Sequence, residues 1–202
     1  MLFTAFSGVF LGTLAAIAML LSKPATAAKA GGAGIRKIGD YSVSYQKGFA
    51  LDSETPGFKS RMVRYRRKLP GSLVFNEGEV NYFLKQFQTK PEEGEEANVE
   101  MGAPNLRFAH EKMILSSVIV MNPNSDPFEL TFQTEINFGA TETGPKLKVG
   151  EGSLNSLPLP SAITNMLIGK ILGAATLPTE LSEPWKAVKE IKLEESKFVV
   201  SF

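Results

Sequence analysis

The sequence predicts an α+β domain in which helices are segregated from an antiparallel meander. Three observations predict it. Phe128 to Phe138 alternates apolar and polar residues with the period of a strand. Ser161 to Ala175 is apolar over more than half of a helix circumference. Strand-like and helix-like stretches also come in blocks, without the regular alternation of a parallel α/β fold. The composition suits a globular body, with 202 residues, 43% hydrophobic, 21% charged and a net charge of +1. That length is one domain with an appendage. A charge near zero gives no global footprint for nucleic acid. The absence of cysteine removes disulfides, thiolate nucleophiles and Cys-type zinc sites, and a single histidine removes multi-His metal sites.

Residues 1–27 read as a signal peptide or membrane anchor, 28–40 as a flexible linker and 41–202 as a single α+β domain. Met1 to Ser22 carries no charged side chain, and about 18 apolar residues suffice to cross a bilayer. Ala25-Thr26-Ala27 has the small-x-small form of a signal-peptidase site. Lys23, Lys29, Arg36 and Lys37 follow the span, which by the positive-inside rule alone turns the body to the cytoplasm. The cleavage-like site and the lack of cysteine favour export, so the expected location is the cell envelope, with a cytoplasm-facing anchor as the alternative. Ala28 to Gly34 is linker-like.

Within the body, Tyr41, Val43 and Tyr45 alternate with polar residues as a short strand. Thr55-Pro56-Gly57 reads as a turn. Phe58 to Lys68 reads as a short basic helix. Its Arg61, Arg64, Arg66, Arg67 and Lys68 either face anionic lipid headgroups or form a solvated connector. Asn76 and Glu79 form a capping-box pair that opens a helix with Val80, Phe83, Leu84 and Phe87 on one stripe. Pro91 to Glu96 is an acidic surface loop. Leu106 to Val120 is one bent strand or two consecutive ones. The run from Asn122 to Pro127 is a turn. Phe128, Leu130, Phe132, Ile136 and Phe138 then share one face of a strand, and Lys146 to Leu154 returns beside it. Leu157-Pro158-Leu159-Pro160 leads into the apolar helix, which must be wrapped by other structure or by lipid. Leu177-Pro178 opens a further short helical stretch through Trp185 and Val188. A hairpin with a Glu194-Glu195-Ser196 turn closes the chain.

No nucleophile elbow and no phosphate loop is present. Asn122-x-Asn124-x-Asp126 begins like a calcium loop, but Pro127 and Gln133 stand where glycine and glutamate are needed. His110 has no second histidine with which to share a metal. The reading is therefore non-catalytic, with no cofactor and no metal.

Phe75-Asn76-Glu77-Gly78-Glu79-Val80-Asn81, the β block to Phe138, Val149 to Leu154, Leu157-Pro158-Leu159-Pro160 and the terminal hairpin occur in a telling order. Over residues 72 to 202 the chain resembles the N-terminally anchored bacterial proteins of the YpmS type and the related YceB-like lipoproteins, whose fold resembles the TULIP (tubular lipid-binding) class. Gly78 and Asn155-Ser156 depart from their pattern. The resemblance implies a curved antiparallel sheet wrapped around a long apolar helix. It also implies a membrane-associated or exported module that binds a lipid or another hydrophobic ligand. On that reading Phe128, Leu130, Phe132, Ile136 and Phe138 line a slot from the sheet side, and Ile163, Met166, Leu167 and Ile171 line it from the helix. The same residues equally suit a dry core. The alternative function is an envelope scaffold with a solid core, meeting a protein partner through the basic stretch or the acidic loop.

Overall fold

The computed structural model describes residues 2–22, 26–27, 44–45, 47–85, 99–109, 112–124, 126–141, 144–173 and 179–202, the side chains of 2–11, 26–27, 44–45, 173 and 179–180 aside. The fold is α+β with mostly antiparallel sheets. Helix α1 spans Leu2–Leu21 and holds no charged residue. Among the described residues no helix is long and apolar enough to cross a membrane. Side chains of α1 are described only from Gly12 onward. A two-residue parallel pair follows, β1 (Thr26–Ala27) with β2 (Ser44–Tyr45). Tyr41, Val43 and the Gly/Ala run lie outside the described residues, as do Phe87, the acidic loop, His110 and Leu177-Pro178.

Helix α2 (Pro56–Arg66) begins where a turn was expected. Thr55 is its N-cap, accepting from the Phe58 amide at 3.1 Å, and Pro56 sits in the first turn, where its missing N–H costs nothing. The expected turn is the helix entry itself. Strand β3 (Ser72–Asn76) has no counterpart among the elements expected from the sequence, although Leu73 and Phe75 are buried and alternate with exposed neighbours. Helix α3 (Glu77–Lys85) opens on the expected capping box. The Glu79 amide donates to Asn76 Oδ1 at 2.9 Å, and the Asn76 amide donates to Glu79 Oε2 at 3.1 Å.

The large sheet runs β4 (Val99–Met101), β6 (Lys112–Met121), β7 (Phe128–Gly139), β8 (Lys146–Leu154), β9 (Leu157–Leu159), and β5 (Asn105–Ala109) pairs with β6 beside β4. Leu106 to Val120 is thus two strands. The period-two segment is β7, with Leu130, Phe132 and Ile136 buried. Its ladder with β8 shifts register between Thr134 and Ile136, where the β8 chain carries an extra residue. β9 holds Pro158 and pairs only with β8 in the sheet, an edge position that tolerates proline.

Helix α4 (Ser161–Gly173) buries one side only; the expected end at Ala175 lies outside the described residues. Thr164, Ile168 and Ile171 are buried, whereas Ile163 and Met166 are exposed. The reason is contact at close range. A Cβ on Gly152 of β8 would meet Thr164 Cγ2 at 2.6 Å, so the helix lies flat on the strand through that side. Helix α5 (Thr179–Trp185) leads to β10 (Glu190–Glu194) and β11 (Lys197–Ser201), which pair through the two-residue Glu195–Ser196 turn. β3 joins β11 to make the second, three-stranded sheet.

Two apolar cores result. The first lies between the large sheet and α4, with Leu115, Phe132, Ile136, Ile168 and Ile171 among its members. The second gathers α2, β3, α5, β10 and β11 around Phe58, Tyr65, Leu73, Phe75 and Val200. Val80, Phe138 and Phe198 pack against both.

Candidate functional site

The candidate site is an apolar pocket in the second core, with a volume of about 150 Å³. Helix α2 supplies Phe58, Met62 and Tyr65, which follow one face at helical spacing. Phe75 comes from β3, Val80 and Phe83 from α3, Leu181 and Trp185 from α5, and Phe198 and Val200 from β11. The rings brace one another edge to face: Phe58 with Phe75 at 6.1 Å and with Tyr82 at 5.9 Å, and Phe138 with Trp185 at 5.7 Å. The two polar groups on the walls are already engaged. The Tyr65 hydroxyl donates to the Leu181 carbonyl at 3.1 Å, and the Trp185 Nε1–H donates to the Pro145 carbonyl at 3.2 Å. Burial pushes the Tyr65 hydroxyl well above the usual tyrosine value. The walls of the pocket therefore carry no charge and no free side-chain hydrogen-bond donor. A cavity of about this size takes a benzene-sized molecule, and drug-sized ligands need roughly 300 Å³ or more.

The outer face of α2 is cationic. Arg64, Arg66, Arg67 and Lys68 are exposed. Arg61 turns inward. Its guanidinium pairs with the carboxylate of buried Glu79 and sits 5.6 Å from the Phe75 ring centroid. Glu79 also accepts from the Thr55 hydroxyl at 3.4 Å, so one carboxylate ties the entries of α2 and α3 together. The end of α2 is a Schellman motif. The Leu69 amide reaches the Arg64 carbonyl at 3.1 Å, and the Lys68 amide reaches Tyr65 at 2.9 Å. Lys68 occupies its left-handed position at φ 52°, where glycine is usual.

The nine residues expected to line a slot are distributed otherwise. Leu130, Phe132, Ile136 and Ile171 are buried within the first core. Phe138 and Leu167 pack against it half-buried. Phe128, Ile163 and Met166 are exposed. None of the nine lines the pocket. Of the five basic residues set against lipid headgroups or a solvated connector, Arg64, Arg66, Arg67 and Lys68 are exposed, and Arg61 is drawn into the ion pair. Among the described residues no cluster of His, Asp or Glu could hold a metal ion.

The polar residues of the Asn76–Asn81 segment work as a latch on the open edge of β5. Asn81 Nδ2 donates to the Leu106 carbonyl at 2.7 Å and to Phe49 O at 2.8 Å, and the Leu106 amide donates to Asn81 Oδ1 at 2.6 Å. Glu77 accepts from the Phe108 amide at 2.7 Å and from Phe49 at 2.6 Å. The geometry matches because four helix residues rise about 6 Å and two strand residues about 6.7 Å. Glu77 and Asn81 therefore meet alternate backbone units of β5 and cover an edge otherwise open to pairing. Gly78 has its own reason here: a Cβ would lie 2.8 Å from the Phe49 ring. Asn155 has one too. At φ 50°, its side chain accepts from the Thr131 amide at 2.7 Å and donates to the Leu21 carbonyl of α1 at 2.7 Å.

A scan of family models finds no match, and a search of curated proteins finds none either.

Proposed function

We propose that the chain is a non-catalytic binding module for a small apolar ligand or the terminal part of a lipid tail, held at a membrane of the cell envelope by α1. The observation that carries this reading is the pocket, with ten apolar or aromatic lining residues and both wall hydrogen-bond donors already engaged. Such walls hold apolar matter and offer no group for proton transfer or nucleophilic attack. α1 supports the membrane part. Its sequence carries no charge over 20 residues, and a helix of that length rises about 30 Å, the thickness of the hydrocarbon core, whereas the part with described side chains, from Gly12 onward, is by itself too short to cross. We also infer kinship with the YpmS and YceB-like proteins, with the large sheet curving around α4. In this chain the ligand space lies in the second core and not beside α4.

The test uses the full chain in nanodiscs and fluorobenzene, read by 19F NMR against empty nanodiscs, with saturable binding and displacement by benzene and short-chain alcohols expected. Met62→Trp, which fills the pocket from its half-buried rim, is expected to weaken fluorobenzene binding at least tenfold. Phe128→Ala, outside the pocket, is expected to leave it unchanged. No saturable binding, or binding indifferent to Met62→Trp, overturns the reading.

A further inference from the structure

We propose that the outward face of α4, centred on Ile163 and Met166, is a bilayer-contact surface that seats the domain directly on the membrane. This rests on the reading of α1 as the anchor. Ile163 and Met166 are 42% and 54% exposed, on a helix whose opposite side is packed on β8. Lys170 lies one turn beyond Met166 on the same face, and no acidic residue occurs anywhere in α4. The face is thus apolar with a cationic edge, the pattern of a helix lying in the headgroup region of an anionic bilayer.

The placement of α1 decides the occupant. Its last carbonyl, Leu21, is held by Asn155 at the β8–β9 turn, and the Leu21 side chain packs on the first core. α1 also touches β9, and β9 runs through Pro160 straight into α4. The domain is therefore coupled to the end of α1 by a half-buried contact beside β9, the strand that leads into α4. With α1 in the bilayer, that side is the one brought to the lipid, and the exposed pair on α4 meets it.

The chain has no cysteine, so single cysteines can be introduced without background. Each of Leu14→Cys, Met166→Cys, Ile163→Cys and Val74→Cys is labelled with an NBD fluorophore. The full chain is placed in nanodiscs of phosphatidylcholine and phosphatidylglycerol (3:1), one chain per disc so that no second copy can cover the face. Quenching by shallow and by deep spin-labelled lipid is then read. Expected is strong quenching at Leu14 by the deep label, near the midplane of a helix spanning Leu2–Leu21, at least twofold quenching at Ile163 and Met166 by the shallow label, and none at Val74, an exposed residue of β3. Quenching at Leu14 with Met166 and Ile163 as unquenched as Val74 overturns the α4 proposal and leaves the anchor intact. Absence of quenching at Leu14 refutes the anchor, and the α4 proposal falls with it. Melting of each labelled chain, followed through Trp185, checks that the fold is retained.

Discussion

Asn81→Ala tests the latch on β5 most directly. Asn81 is 1% exposed and makes three side-chain hydrogen bonds, two of them to Leu106, itself 6% exposed. The third goes to the carbonyl of Phe49, an exposed residue at which water can replace the amide. Truncation thus strands one buried N–H and one buried C=O, each costing about 1–3 kcal/mol. The expected loss is about 2–6 kcal/mol, a large share of the roughly 5–15 kcal/mol that holds a typical domain. Asn81→Asp keeps the acceptor for the Leu106 amide but sets a carboxylate against two carbonyls, so it is expected to cost at least as much as alanine. Urea unfolding followed by Trp185, the single tryptophan, reads the shift in midpoint at constant slope. Amide exchange at Leu106 reads the local opening. A loss below about 1 kcal/mol, or unchanged protection at Leu106 in Asn81→Ala, refutes the view that this side chain stands in for a neighbouring strand.

Three further outcomes follow from named contacts. Lys68→Gly and Ser196→Gly relieve left-handed backbone at φ 52° and 59°, and each is expected to raise stability by about 0.5–1 kcal/mol in the same urea assay. Glu79→Ala removes the capping box of α3 and leaves Arg61 without its carboxylate partner; the expected loss is about 3–5 kcal/mol, and a shift of the melting midpoint of only a degree or two would contradict it. The Tyr65 hydroxyl ionises at higher pH in the folded than in the unfolded chain, so above about pH 10 the unfolded state binds fewer protons and stability falls as pH rises, by at most about 1.4 kcal/mol per pH unit. Tyr65→Phe is expected to flatten that alkaline fall and to cost about 1 kcal/mol at neutral pH through the lost bond to Leu181, both measured by unfolding between pH 7 and 11.

Local physics made part of this fold legible in the sequence. The capping box at Asn76 and Glu79, the alternation along β7 and the bounds of β8 depend only on near neighbours, and each is present as expected. β3 was invisible for a different reason. It has two inward residues, and its partner β11 lies at the far end of the chain, pairing Val74 with Val199. Pro158 hid β9, because proline argues against a central strand and gives no sign of an edge. The pocket draws walls from α2, β3, α3, α5 and β11, so no periodicity within one element could announce it. The helix pattern of α4 could not show which apolar residues stay uncovered, since Ile163 and Ile171 are alike in chemistry and differ only in what lies opposite. Asn81 did carry a usable signal. It stands four residues after Glu77, so the two polar side chains share one face a turn apart, and Asn81 interrupts the run of Val80, Tyr82, Phe83 and Leu84.

The location of the pocket has a structural cause. The six-stranded and three-stranded sheets meet through three shared side chains, Val80, Phe138 and Phe198. Phe198 stacks on Phe108 at 6.2 Å and meets Phe138 edge-on at 5.9 Å, and Phe138 in turn meets Trp185. Rings held at such angles leave wedges between them that flexible aliphatic side chains would close. Phe198, Trp185 and Val80 carry this junction on one side and line the pocket on the other. A ligand seated there replaces missing contacts at the joint between the two cores, so its binding stabilises the junction as well as the walls. Trp185 sits at that joint, which makes its emission a direct reporter of occupancy.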